Sequence, residues 1–300
     1  MKAMILAAGY GTRLEPLTLK RPKALMPVAN IPVVDRVIAY LKRNGVREII
    51  VNAHHLHHQV TSHLAGRTHF GLPIHVEVED EILGTGGGIK NVEEFWDCEP
   101  FLVINADILT DIDLRKPVER HRQSGAMATL VIHEYPLFNL VRINSEGHVE
   151  AFLSETQPGL LAFTGIHILS RSVLDYIPPN TFYSIIDAYR DIIHDKEIVA
   201  SYMASGHYWR DIGTIDSYVH ANIDMIGTEE ILIAQGAVAH PASHLGGWCV
   251  VGHGCSIGEG SLVENSILWD GAKIGKEATV VNSIVTQDVG DGVEIRDQVF

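Results

Sequence analysis

The chain is 300 residues long, 46% hydrophobic and 20% charged, with 23 Lys and Arg against 37 Asp and Glu for a net charge of −14. An acidic surface repels nucleic acid and anionic membrane, and this apolar content excludes a disordered chain. At about 150 residues per domain, the length fits one large or two unequal domains.

The opening MKAMILAAGYGTRL is apolar for only six positions before glycines and an arginine interrupt it. It fits no signal peptide, and no stretch approaches the roughly 18 apolar residues of a membrane span. Cys98, Cys249 and Cys255 are an odd and sparse set, which points to free thiols in a reducing cytoplasm.

Residues 2–8, KAMILAA, form an apolar run ending at Gly9, the pattern of a buried parallel strand followed by a tight turn. After Pro32, Val33, Val37, Ile38 and Leu41 recur at helical spacing, and Gly45 supplies a stop. VREIIVN at 46–52 predicts another buried strand. His54, His55, His57, His58 and His63 follow; with no carboxylate or thiolate partners in the segment, they read as a polar loop running into a helix rather than a zinc or nickel site.

The alternation continues with a helix at 57–65, the strand PIHVEVE at 73–79, a helix from about 87 to 95 and the strand FLVINAD at 101–107. A polar helix at 114–124 and the strand ATLVIHEY at 128–135 come next. Strands alternating with helices imply crossover units: an α/β fold whose mixed, mostly parallel sheet carries helices on both faces. Ligands of such sheets sit beyond the carboxyl ends of the strands, where Gly9 to Arg13 and Asp107 fall.

From 139 to 169 the pattern alternates by two around a turn at Ser145-Glu146-Gly147, as hairpins added to the sheet. Helical spacing returns in YSIIDAYRDIIHD at 183–195 and in IDSYVHANIDMI after Gly213. The tail then changes rule. Val251-Gly252, Ile257-Gly258 and Val263 fall six apart, and Leu268, Ile274-Gly275 and Val280 resume the step after a one-residue slip. Hexapeptide periodicity predicts a parallel β-helix, and about 18 residues per coil gives roughly four coils. Cys249 and Cys255 then lie on successive faces of one coil and do not pair. Domains are expected at 1–228 and 229–300.

The most specific string is LAAGYGTRLEPLTLKRPKALMPV, residues 6–28. A glycine-rich turn leaving a first strand lets backbone N–H groups approach a phosphate chain, and Arg13 and Lys23 add fixed positive charge. Asp107 ends an apolar strand, where a buried carboxylate is costly unless something pairs with it, and Asp211 stands in YWRDIGT. In EILGTGGGI, residues 81–89, consecutive glycines let backbone approach a planar ring.

Residues 6–28 resemble the signature of the sugar-1-phosphate nucleotidylyltransferases, Gly-x-Gly-Thr-Arg-Leu followed about ten residues later by Pro-Lys. It stands here as Gly9, Gly11, Thr12, Arg13, Leu14 and then Pro22-Lys23. The resemblance implies a Rossmann-like catalytic domain followed by a short left-handed β-helix of hexapeptide repeats. It implies that Leu6, Ala7, Ala8, Gly9, Gly11 and Thr12 hold a nucleoside triphosphate, with Arg13 and Lys23 as catalytic cations on its phosphates. Asp107 and Asp211 match the Mg²⁺ ligands, and magnesium takes one or two carboxylates plus substrate phosphate. Gly84, Thr85 and Asn52 match the base and ribose side, and Glu155 and Gly165 the sugar side. Many relatives carry Glu-Lys-Pro where this chain reads Glu155-Thr156-Gln157, so the lysine for the sugar phosphate is missing. The sugar phosphate then has Arg142, Arg210 or the metal as its alternative partners.

The implied reaction joins a nucleoside triphosphate to a sugar-1-phosphate and releases pyrophosphate. Domain order and the tail SILWDGAKIG look most like mannose-1-phosphate guanylyltransferases, which sets mannose-1-phosphate and GTP as the leading pair. GTGGGI and the absent lysine look like N-acetylmuramate-1-phosphate uridylyltransferases, and glucose-1-phosphate enzymes are a third reading. From other classes come a non-catalytic homologue that binds a nucleotide sugar, and a bifunctional acetyltransferase with His244 and His253 as bases, for which four coils are too short. A short β-helix leaves apolar faces to cover, so a homo-oligomer is expected. Residues 1–47 hold nine Lys or Arg against Glu15 and Asp35. This basic first lobe would meet the triphosphate, with Mg²⁺ bridging it to Asp107 and Asp211.

Overall fold

Residues 1–66 and 70–300 are described by a computed structural model. Contacts group them into two compact units, one of residues 1–10, 22–24 and 34–211, the other of residues 11–21, 25–33 and 212–300.

The first unit is built on a nine-stranded sheet. From one edge the strands run Val149–Phe152, Asn139–Ile143, Leu161–Leu169, Phe101–Asn105, Lys2–Leu6, Glu48–Ala53 and Ile74–Val78. Ala128–His133 also pairs with Leu161–Leu169, and Val199–Met203 with Ala128–His133. Lys2–Leu6 is parallel to Glu48–Ala53 and to Phe101–Asn105, and Glu48–Ala53 to Ile74–Val78. Leu161–Leu169 runs against both Phe101–Asn105 and Ala128–His133, so these two point the same way. Crossover helices of this order bury strands on both faces, which is why their central residues are continuously apolar: Ala3, Met4, Ile5, Leu102, Val103 and Ile104 are all fully buried.

Helix Val33–Arg43 turns Val34, Val37, Ile38 and Leu41 inward, as their spacing predicts, and Gly45 beyond its end adopts φ 83°. Several boundaries differ from the sequence reading: the strands expected at 101–107 and 128–135 end at Asn105 and His133, and two further cases have a visible cause. The first strand ends at Leu6 rather than residue 8, because the Ala7 N–H leaves the ladder and donates to Asn52 Oδ1 at 2.8 Å. The helix expected from about 87 instead spans Gly84–Asn91, with a separate 3₁₀ turn at Glu93–Phe95. It starts early because its orphan N–H groups find partners: Gly86 and Gly87 both donate to Tyr183 O, at 2.8 and 3.1 Å. The glycines are therefore helical, and their missing side chains let the backbone at 181–185 lie close.

The second unit contains helix Ile215–Ile226, opened by a reciprocal capping box between Thr214 and Ser217 and followed by Gly227. Parallel strands then stack as coils, Ile231 opposite Cys249, His244 opposite Leu262, Leu262 opposite Thr279 and Thr279 opposite Glu294. The advance shortens from 18 residues in the first of these steps to 15 in the last. Cys249, Val251, Cys255, Ile257, Val263, Leu268, Ile274 and Val280 fill the core of the coils. Cys249 and Cys255 are free thiols, and burial pushes both above the usual thiol range.

Candidate active site

The end of the central strand Lys2–Leu6 brings the predicted Leu6, Ala7 and Asn52 together. Leu6 stands level with Asn52 on one side and Asn105 on the other, so Ala7, Ala8 and Gly9 leave the sheet between two side-chain amides. Asn52, only 2% exposed, is fixed at both ends: Oδ1 accepts from Ala7 N and Nδ2 donates to Glu79 Oε1 at 2.6 Å. Glu79 Oε2 accepts from Leu83 N at 3.0 Å, ahead of the Gly84–Asn91 helix. A Cβ at Gly88 would lie 2.8 Å from Glu79 Oε1 and 2.9 Å from Asn52 Nδ2. Glu79, 3% exposed, thus locks the first loop to the glycine helix. Sequence reading missed it, since in PIHVEVE it looks like one more outward carboxylate.

Tyr10, 48% exposed, donates its hydroxyl to His54 Nε2 at 3.2 Å, and His54 Nδ1 donates to Glu79 O at 2.8 Å. Among the described residues, no group of three or more His, Cys, Asp or Glu is arranged to hold a metal ion. Gly84 and Thr85 have packing roles in the structure: a Cβ at Gly84 would meet Tyr183 O at 2.9 Å, and Thr85 Oγ1 accepts from Ile185 N at 2.9 Å.

Asp107 follows the Phe101–Asn105 strand, and Lys23 Nζ donates to its Oδ2 in a short ion pair with both side chains under one-fifth exposed. The other oxygen, Oδ1, is buried without a hydrogen-bond partner among the described residues. An orphaned carboxylate oxygen of this kind carries a desolvation cost that a ligand can relieve. Asp211 ends the short strand Trp209–Asp211, which runs antiparallel to Ile108–Thr110 with Asp211 opposite Ile108. Two aspartates are thereby brought to one corner, one of them holding an unsatisfied oxygen. Hard oxygen donors and so few of them suit a magnesium ion that keeps phosphate and water as its other ligands.

Gly165, expected on the sugar side, lies in the strand Leu161–Leu169. Gly165 adopts φ 77°, and a Cβ there would lie 2.7 Å from Asn105 Nδ2. Trp209 Nε1 donates to Thr164 O at 3.0 Å, and its ring meets His133 edge-on at 4.6 Å. His133 and His207 share a 3.3 Å hydrogen bond, while His133 Nε2 and His207 Nδ1 are buried without partners among the described residues. Burial lowers the His133 pKa to about 4, so the ring is neutral. Glu155 lies on an exposed bend before this strand, and Arg142 is exposed on Asn139–Ile143. Strand alternation turns Arg210 to the face opposite Trp209 and Asp211.

Gly11 and Arg13 belong to the second unit, where Gly11 adopts φ 70° and opens the 3₁₀ turn Thr12–Leu14. Gly11 O accepts from Leu14 N at 2.9 Å and Thr18 Oγ1 at 3.0 Å, which shapes the turn and leaves the Arg13 side chain exposed.

Comparisons with known proteins agree with this architecture. The chain is 28% identical over 298 residues to a mannose-1-phosphate guanylyltransferase of Mycobacterium tuberculosis, covering 91% of this chain and 80% of that protein. It is 28% identical over 338 residues to a UTP–glucose-1-phosphate uridylyltransferase of Synechocystis, covering 95% and 87%. Crystalline HddC from Yersinia pseudotuberculosis shares the fold with a TM-score of 0.66 at 24% identity, covering 75% of this chain and 99% of that one. The nucleotidyl transferase family model matches residues 2–227 and that of the GMPPB C-terminal domain residues 227–300. The chain therefore belongs to the nucleotidyl transferase family and carries a GMPPB C-terminal domain behind its catalytic fold.

Proposed function

We propose that the protein is a sugar-1-phosphate nucleotidylyltransferase with mannose-1-phosphate and GTP as its first-choice pair. The observation that carries the chemistry is the Lys23–Asp107 pair at the carboxyl end of a central strand, with Asp107 Oδ1 left unsatisfied. Mannose-1-phosphate guanylyltransferases among the relatives, and the match of residues 227–300 to the GMPPB C-terminal domain, support the pair.

In the reaction, an anionic phosphate oxygen of the sugar-1-phosphate attacks the α-phosphorus. A new P–O bond forms as the bond to the β-phosphate breaks, and pyrophosphate leaves with the electron pair. The nucleophile is already ionised at neutral pH, so the chain needs no general base and contributes position and charge. Lys23 and Arg13 neutralise charge on the phosphates, and backbone N–H groups of the 6–12 loop line the chain. Asn52, Gly84 and Thr85 define the base and ribose side, Gly165 and Glu155 the sugar side. Asp107 and Asp211 would hold Mg²⁺, which when bound supplies further neutralisation of the triphosphate. The catalytic domain ends at 228 in this reading, and the protein is a cytoplasmic homo-oligomer.

The partner of the sugar phosphate is left among Arg142, Arg210 and the metal. The test is pyrophosphate release across GTP, UTP, dTTP, ATP and CTP with mannose-, glucose- and N-acetylmuramate-1-phosphate, with Mg²⁺ and with EDTA. GTP with mannose-1-phosphate is expected to turn over fastest and to stop in EDTA. UTP with N-acetylmuramate-1-phosphate in first place would give the function to the second reading. Nucleotide binding without pyrophosphate from any pair would mark a silent homologue.

A further inference from the structure

The second unit joins the β-helix to the two stretches of sequence on either side of Lys23, residues 11–21 and 25–33. Trp269, at the end of the Leu262–Leu268 strand and 4% exposed, donates its indole N–H to Tyr218 Oη at 3.0 Å. Tyr218, fully buried, donates the same hydroxyl to Pro27 O at 2.7 Å. The Arg21 guanidinium stacks 4.7 Å over the Trp269 ring and stands 3.9 Å from Asp270 Oδ2. One indole thus reaches both flanks of Lys23 in the sequence, Arg21 directly and Pro27 through one hydroxyl.

The hairpin that follows is held in the same way. Ala29 and Asn30 adopt φ 45° and 61°, unfavourable for residues with a Cβ and kept only where the surroundings fix them. Asn222 Oδ1 accepts from Ala29 N at 2.8 Å, its Nδ2 donates to Tyr218 O at 2.9 Å, and Asn30 Nδ2 donates to Val251 O at 3.0 Å. Asn222 is fully buried. These are long-range contacts to a segment that carries little secondary structure of its own. The turn bearing Arg13 lies in this unit and not with the sheet.

We infer that Trp269, Tyr218 and Arg21 are positioning residues for phosphate transfer: the β-helix fixes the loop that carries Arg13. The inference rests on the phosphate role of Arg13 given above. Preorganised charge lowers a barrier only where it is held in place, so loosening the loop lowers kcat more than it weakens ground-state binding. Losing one buried hydrogen-bond relay, worth about 1.4 kcal/mol, corresponds to roughly tenfold in rate.

The test is a double-mutant cycle on the full chain, with pyrophosphate release measured on whichever substrate pair turns over fastest, so the identity of base and sugar does not enter. Tyr218→Phe removes the donor to Pro27 and the acceptor for Trp269. It is expected to lower kcat about tenfold with both KM values within twofold, and to change kcat less than twofold in an Arg13→Ala background. A merely structural loss would multiply through, so a tenfold fall in both backgrounds overturns the inference, as does an unchanged kcat for Tyr218→Phe. If Tyr218→Phe does not fold, Arg21→Gln, at a partly exposed site, carries the same cycle with the same expected outcomes. Parental turnover by Arg13→Ala alone would remove the phosphate role of Arg13 itself, a failure read from that one variant.

Discussion

Lys23 is the side chain whose loss should cost the most rate. It pairs with Asp107, and in the proposed reaction its charge meets the phosphates, so Lys23→Ala is expected to lower kcat by roughly 10²- to 10³-fold, the range for removing one transition-state donor. Steady-state pyrophosphate release checks this. Lys23→Arg keeps the charge but cannot place its wider head on Asp107 in the same way, and should recover only part of the rate. Arg13, Lys23, Asp107 and Asp211 could be proposed from sequence because each stands in a short string whose residue types suggest a chemistry. Glu79 was not legible: nothing local distinguishes it from Glu77 two positions earlier, and only the folded register sets it against Asn52 and Leu83.

At the scale of elements, strands and helices were readable wherever burial imposes a period. The apolar centres of Lys2–Leu6, Glu48–Ala53 and Phe101–Asn105 and the inward stripe of Val33–Arg43 are examples. Gly84–Asn91 was read late because its glycines argue for a turn, and what makes it a helix lies almost a hundred residues away in Thr181–Ile185. A Cβ at Gly87 would come within 2.4 Å of Thr181 O, a rigid backbone atom. Gly87→Ala should therefore destabilise by about 1–3 kcal/mol despite the better helix propensity of alanine. Urea denaturation checks the sign: stabilisation would show that the 181–185 backbone yields.

Across the whole molecule, charge is distributed differently from what a count over residues 1–47 suggests. Lys20 donates to Thr286 Oγ1 and Arg21 stacks on Trp269, so two of those cations serve the second unit rather than a phosphate chain. Histidines give the molecule its acid sensitivity. Burial lowers His121 and His133 to about 4 and His167 to about 3, with Arg122 adding to the first and His207 to the second. Folded, these rings stay neutral while the unfolded chain takes up protons below about pH 6.5. Their stabilising effect is complete above that pH and is lost as pH falls toward 4, by up to about 1.4 kcal/mol per unit for each ring. Urea midpoints should hold steady from pH 8 to 7 and fall between 6.5 and 5; a flat profile to pH 5 would show the rings accept protons in the folded state.

The division of residues 11–33 has a consequence for how the protein opens. Residues 22–24 are grouped with the sheet, while their neighbours on both sides are grouped with the coils and helix Ile215–Ile226. Amide exchange should then split this stretch by allegiance rather than by position in the chain. The Arg21 and Ala29 amides should become exchangeable together with the coil amides, and Ala24 with those of the central strands. A segment of about twenty residues would report two separate openings, with Lys23 among the residues that follow the sheet.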